Sequence, residues 1–282
     1  MKKEEVRKVV RDGYAQIAKR GSSCCALQSS CCSTANMATE ISKKIGYTEE
    51  DIQSVPEGAN LGLGCGNPVA LASLKEGEVV LDLGSGAGFD CFLAANRVGK
   101  GGKVIGVDMT PEMIDKAREN LNRGNYDNVE FRLGEIENIP VADNSVDVII
   151  SNCVINLSPD KRRVFKEAFR VLKPGGRLMV SDIVLTKELP NFIKNSLEAY
   201  VGCLSGAIMQ EEYLDVMREA GFREIKVIDE TFFPIDRITN NPTAKAIMNK
   251  TAGLKDGLEE IGSSVVSIKV EGEKPCKELV VT

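Results

Sequence analysis

Histidine is absent from the 282 residues. Its absence removes the commonest general base, the commonest metal ligand and the commonest charge switch near neutral pH. Also missing is any apolar run long enough to span a bilayer. Met1 to Arg11 is charged and has no apolar segment of the signal-peptide kind. A basic surplus is lacking too. The net charge is -5 and the pI near 5.2, which speaks against nucleic acid as the main partner, because phosphate binding calls for a basic surface. No internal repeat or low-complexity linker is visible. The expectation is a cytoplasmic protein, monomeric by default, that engages neither nucleic acid nor membrane. Its 43% hydrophobic content is enough for a sizeable core.

What the chain does have is cysteine, nine residues of it. The number is odd and no secretion signal accompanies it, so free thiols are expected rather than a disulfide framework. Many thiols without histidine suggest that some of them do chemistry.

Along the chain, Val6, Val9, Val10, Tyr14 and Ile17 mark an amphipathic helix over residues 2–20. A cysteine-rich stretch follows, with Cys24-Cys25 and Cys31-Cys32. A second helix is expected over 34–44, and Thr48, with Asp51 three residues on, reads as the cap of a short third. Residues 58–68 form a glycine-rich loop containing Cys65, and a short helix spans 69–74. Strand and helix patterns then alternate. Strands are expected at 79–83, 104–108, 129–133, 146–151 and 177–182, and helices at 89–98, 111–121 and 160–172. Such alternation means a parallel sheet with crossover helices on both faces. Beyond it come a helix at 191–201, a turn holding Cys203, a helix at 211–220 and a strand at 224–229. A helix near 242–250 and an edge hairpin over 265–281, turning at 271–274, complete the chain.

The first strand runs into Asp82-Leu83-Gly84-Ser85-Gly86-Ala87-Gly88. Glycines there permit a tight turn and let a ligand approach the backbone at a helix N-terminus. The spacing is G-x-G-x-G, unlike the G-x-G-x-x-G of dinucleotide folds. Asp82 can hold the loop or meet a ligand's ammonium group. Asp108, closing the second strand, is placed for a ribose hydroxyl pair. With VIGVD, the Gly134-Glu135-Ile136-Glu137 turn, VDVIISN and RVLKPGGRL in order behind VLDLGSGAG, the stretch 76–185 resembles class I S-adenosylmethionine (SAM) methyltransferases. The resemblance implies a doubly wound, mostly parallel seven-stranded α/β sheet. It also implies SAM as cofactor, with Gly84, Ser85, Gly86 and Gly88 at its amino-acid end. Asp108 would hold the ribose, Met109 would lie near the adenine, Glu135 and Ile136 would flank its edge, and Asn152 would lie near the transferring methyl. Glu137 reads as a surface residue.

Cysteine is often only a small buried hydrophobe, and Cys91, beside Phe92 and Leu93, reads that way; Cys276 reads as incidental. Cys65, Cys153 and Cys203 stand instead in loops or at the carboxyl end of a strand, where open α/β sheets bind ligands. Three thiolates near the SAM methyl define a soft trigonal site. Zinc usually wants four ligands, and histidine cannot supply the fourth, so no metal cofactor is expected. Trivalent arsenic wants three thiolates and keeps a lone pair that can attack a methyl without loss of a proton.

With GLGCG, GSGAGFDC, VDMT, SNCVINL and GCLSGA in view, the chain resembles the arsenite methyltransferase family over nearly its whole length. The resemblance implies that Cys65, Cys153 and Cys203 bind arsenic. It implies further that a disulfide between Cys65 and an N-terminal cysteine, Cys32 on spacing, is reopened by thioredoxin or glutathione. Leu63 stands where some relatives carry an aromatic residue. The organisation expected is a cysteine-rich helical segment closing over the site (1–75), a SAM-binding domain (76–190) and an arsenic-binding C-terminal region (191–282). Two alternatives share parts of this frame. One is a C- or O-methyltransferase of a small organic acceptor; the other is a thiol-based metalloid sensor or sequestering protein.

Overall fold

The computed structural model describes residues 2–20, 34–194, 200, 202–232 and 264–276. Cys24, Cys25, Cys31 and Cys32, the expected helix near 242–250, and the second arm of the expected hairpin lie outside them.

Among the described residues, four helices precede the sheet: α1 (Lys3–Arg20), α2 (Thr34–Lys44), α3 (Glu49–Gln53) and α4 (Pro68–Leu71). The Thr48 cap of α3 is a full capping box with Asp51. The sheet and its crossovers follow as β1 (Val79–Leu83), α5 (Phe89–Val98), β2 (Lys103–Asp108), α6 (Pro111–Arg123), β3 (Val129–Leu133) and β4 (Val146–Asn152). Then come α7 (Lys161–Val171), β5 (Leu172–Leu185), α8 (Asn191–Lys194), α9 (Gln210–Ala220), β6 (Arg223–Phe232) and β7 (Val265–Glu273). Their order across the sheet is β3-β2-β1-β4-β5-β7-β6. The first five pair in parallel, and β7 runs antiparallel between β5 and β6. This is the fold of class I SAM methyltransferases.

Successive residues of a strand face opposite sides of the sheet, and the apolar runs supply both sides. Leu81 and Leu83 pack with Phe165 and Tyr213 under α7 and α9. Val80, Val148 and Ile150 pack with Phe92 and Phe131 under α5. In α7, Val164, Phe165, Ala168 and Val171 recur at the spacing that buries one stripe, and Asp160 caps its first turn through Arg163 N at 3.1 Å.

One expectation fails. Residues 265–273 form no edge hairpin. The strand continues through the proposed turn at Glu271-Gly272-Glu273, which pairs with Met179, Leu178 and Arg177 of β5. A Cβ on Gly272 would come within 3.2 Å of the flexible end of Met217 and into ordinary contact, 3.5 Å, with Ile225 and Phe222.

Candidate active site

Between β1 and β4 the strand order reverses direction, which opens a crevice beyond the strands' carboxyl ends. A cleft of about 1050 Å³, counted out to solvent, occupies that position. The β1–α5 loop is pinned across its floor. Gly84 N and Ser85 N donate to Val107 O at 2.8 and 3.0 Å. Asp108 accepts from Gly86 N at 3.0 Å and from Thr110 N at 2.8 Å. Gly84 has φ +72°, and a Cβ there would overlap the Val154 side chain, so only glycine serves.

The cleft's electrostatics are one-sided. Asp82, Asp90 and Asp108 line it, and none is in an ion pair among the described residues. Burial and then repulsion from Asp90 hold the Asp82 carboxyl well above its usual range, although the Cys91 thiol donates to it at 3.2 Å. Burial lifts Asp90 to about 6, against hydrogen bonds from Tyr47 and Asn152. Burial also raises Asp108, against its two backbone donors. A cationic ligand would relieve all three. Ser85 Oγ is buried without a hydrogen-bond partner, and at Gly86 a Cβ would meet only open space. Met109, Ile136 and Leu157 add apolar surface. This donor set suits a nucleoside carrying an ammonium and a sulfonium group.

Beside the cleft lie three buried thiols, brought together by hydrogen bonds to shared strand ends. Ser181 O on β5 accepts from Cys153 N at 2.8 Å and from Cys65 Sγ at 3.4 Å. Cys153 O accepts from Cys203 Sγ at 3.1 Å. Cys153 touches both other thiols; contact with Cys203, then with Cys65, then burial raises its pKa well above the ordinary thiol range. All three belong to one apolar cluster with Val10, Leu157 and Tyr200, and all are free thiols. As they stand the Cys65 and Cys203 thiols rest on carbonyls, and among the described residues no group of three or more His, Cys, Asp or Glu is set to hold a metal ion. Cys153 and Cys203 have φ of 59° and 64°, a region that costs a side-chain-bearing residue energy.

A family model for a methyltransferase domain matches residues 74–221. The curated arsenite methyltransferase of Halobacterium salinarum is 46% identical across 98% of this chain and 68% of its own length. That of Aquipseudomonas alcaligenes is 36% identical across 84% of this chain and 71% of its own length. The chain belongs to the arsenite methyltransferase family. A crystal structure of an arsenic(III) S-adenosylmethionine methyltransferase from Chlamydomonas reinhardtii, 33% identical, superposes with a TM-score of 0.61 and covers 83% of this chain and 72% of that one.

Within this arsenite methyltransferase fold, Asp82, Gly84, Ser85, Gly86, Asp108, Met109, Ile136 and Asn152 line the cleft, and so does Cys153. Gly88 and Glu135 do not. Gly88 is required by packing, since a Cβ there would lie 2.7 Å from Phe131 and 2.8 Å from Phe92. Glu135 is half-exposed and pairs with Arg7. Glu137, expected at the surface, is buried in the cleft wall instead, accepting from Ser158 Oγ at 2.8 Å and Arg7 at 3.3 Å. Cys91 is buried as expected, but its thiol serves Asp82; Cys276 is exposed. Sequence reasoning missed Arg7, Tyr47 and Asp90. Asp90 had a signal: a carboxylate in the first turn of an apolar helix directly behind a glycine loop.

Proposed function

We propose that this chain transfers the methyl group of SAM to trivalent arsenic held by Cys65, Cys153 and Cys203. The observation that carries it is the convergence of these thiols, from three distant segments, into one buried cluster that opens on the cleft through Cys153. When bound, SAM supplies an electrophilic methyl. The glycine loop and Asp108 would hold its ribose and amino-acid ends, Asp82 and Asp90 would face its positive charge, and Met109 and Ile136 would cover its base.

The thiols do the rest. Arsenous acid exchanges its three hydroxyls for three sulfurs; each thiol proton leaves with a hydroxide as water. Cys65 and Cys203 must rotate off the Ser181 and Cys153 carbonyls to reach the arsenic. Trithiolate arsenic keeps a lone pair, so no base is needed at the nucleophile, which fits a chain without histidine. The protein's part is alignment and exclusion of water. Transfer raises arsenic from +3 to +5. Two thiolates returning it to +3 become a disulfide, and Cys65 with Cys32 is the pair we favour, reopened by thioredoxin or glutathione. Such chemistry belongs in a reducing compartment, the cytoplasm, and needs only one copy of the chain. No helix among the described residues is long and apolar enough to cross a membrane.

The test is incubation with arsenite, SAM and excess dithiol, followed by separation of the arsenic species. Methylated arsenicals should form in wild type and be lost in both Cys153→Ser and Cys203→Ser. Full activity in either variant would remove that residue from the site. SAM turnover with an organic acceptor but not with arsenite would leave only the generic methyl-transfer reading.

A further inference from the structure

Asn152 closes β4, and its carboxamide reaches across to the Gly64-Cys65-Gly66 loop. We infer that Asn152 is a positioning residue that sets Cys65 as the third thiol beside Cys153 and Cys203; the inference rests on the arsenic-binding reading above. Its Oδ1 accepts from Cys65 N at 3.0 Å and Gly66 N at 3.4 Å, and its Nδ2 donates to Gly66 O at 2.8 Å. From the other side Nδ2 meets Tyr47 Oη at 2.9 Å and Asp90 Oδ2 at 3.1 Å. Tyr47 in turn donates to Asp90 Oδ1 at 2.6 Å. The amide plane is thus fixed before it grips the loop.

The grip explains the glycines around the cysteine. A Cβ at position 64 would lie 2.6 Å from Asn152 Nδ2, and one at position 66 would lie 2.6 Å from Ser181 Oγ. The remaining anchors of Cys65 act elsewhere: Ser267 Oγ donates to its carbonyl at 3.0 Å, and its thiol rests on Ser181 O. Arsenic must break the thiol contact in order to bind. With Asn152 removed, only the Ser267 hydrogen bond among the described residues would then hold Cys65 itself in place. Cys153 and Cys203 keep backbone anchors that do not involve Asn152: Cys153 N donates to Ser181 O at 2.8 Å and Cys203 N to Tyr200 O at 2.9 Å.

Substrate valence separates these roles. Arsenous acid has three exchangeable hydroxyls and uses all three thiols. Methylarsonous acid has two, and Cys153 with Cys203 can satisfy it. Asn152→Ala should therefore weaken binding of arsenous acid by about 10–100-fold, the usual cost of losing a residue that orients a ligand, while methylarsonous acid binds as to wild type. Cys65→Ser, as reference, should show the same pattern. Titration of the folded full chain with each arsenical in the absence of SAM, followed by sulfur-to-arsenic charge-transfer absorption, reads the difference. A general loss of structure would weaken both ligands alike. Unchanged arsenous acid binding in Asn152→Ala, or equal loss of both arsenicals, overturns the inference. Wild-type arsenous acid affinity in Cys65→Ser overturns the three-thiol reading and the inference with it. Tyr47→Phe keeps the ring and removes one partner of the carboxamide, so it should shift the ratio of the two affinities in the same direction. If Asn152→Ala does not fold, an unshifted ratio in Tyr47→Phe is the overturning result.

Discussion

Asp108 has two uses for one side chain. Its oxygens accept two backbone N–H groups, which leaves lone pairs free for a ribose. Hydrogen bonds to a charged acceptor contribute about 1.5–3 kcal/mol each. Asp108→Ala should therefore raise the KM for SAM by about 10–100-fold, through both the loss of the proposed ribose contact and the loosened Gly86, with kcat little changed. Steady-state kinetics at saturating arsenite checks this; a fall in kcat alone would place Asp108 in the chemical step instead. The neighbouring Asp82 shows how a reading from sequence stops short. Its position before the glycines is visible, but its thiol partner Cys91 reads as packing, because the glycine loop separates the two along the chain and nothing in the pattern tells a buried donor from a buried hydrophobe.

At the scale of elements, the parallel strands were legible. Strands buried on both faces read as unbroken apolar runs, and Pro and Gly punctuate the turns between them. The start of β7 is legible as the first arm of a hairpin, but its end is not, because Glu271-Gly272-Glu273-Lys274-Pro275 has turn composition; the pairing of Glu271, Gly272 and Glu273 with β5 shows that this stretch stays inside the sheet. Helix α1 is legible as a helix within a segment expected to close over the site, yet the residues it contributes are not, since their contacts lie far off in sequence. Arg7, Val10 and Tyr14 form one wall of the cleft, and Arg7 pairs with Glu135 and Glu137. Burial opposes the Arg7 charge, and those carboxylates more than compensate. Arg7→Met should loosen the wall and speed cofactor release about tenfold, a loss of roughly 1.4 kcal/mol. Stopped-flow displacement of bound SAM measures it, and an unchanged rate would make α1 a passive cover.

Across the whole molecule, charge is buried where the sheet, α7 and α9 meet beneath the thiols. Asp182 is fully buried and accepts from Asn156, Ile183 N and Tyr213. Burial lifts its pKa to about 6, against those donors and the nearby Lys161. Lys161 is pushed down to about 8, again by burial first. A carboxyl with a folded pKa above its unfolded value of about 3.9 binds its proton more tightly in the native state. Its stabilising contribution is complete below the unfolded value and disappears as pH rises through about 6. Asp182→Asn keeps the carbonyl acceptor without titrating. The melting temperature of this variant minus that of wild type should therefore climb between about pH 4 and pH 6 and level off above. A difference flat across that window would mean that Asp182 holds the same charge throughout.

The backbone at Cys153 and Cys203 has a consequence for anyone who tries to harden this protein. Left-handed φ values make glycine the comfortable occupant. Ordinarily glycine is less stable than alanine in a strand or helix; at position 153 the order should invert, with Cys153→Gly outlasting Cys153→Ala by about 1 kcal/mol in chemical denaturation. A screen that rewards heat resistance alone would accordingly rank glycine above alanine at this position, although either replacement removes a sulfur from the buried cluster beside the cleft.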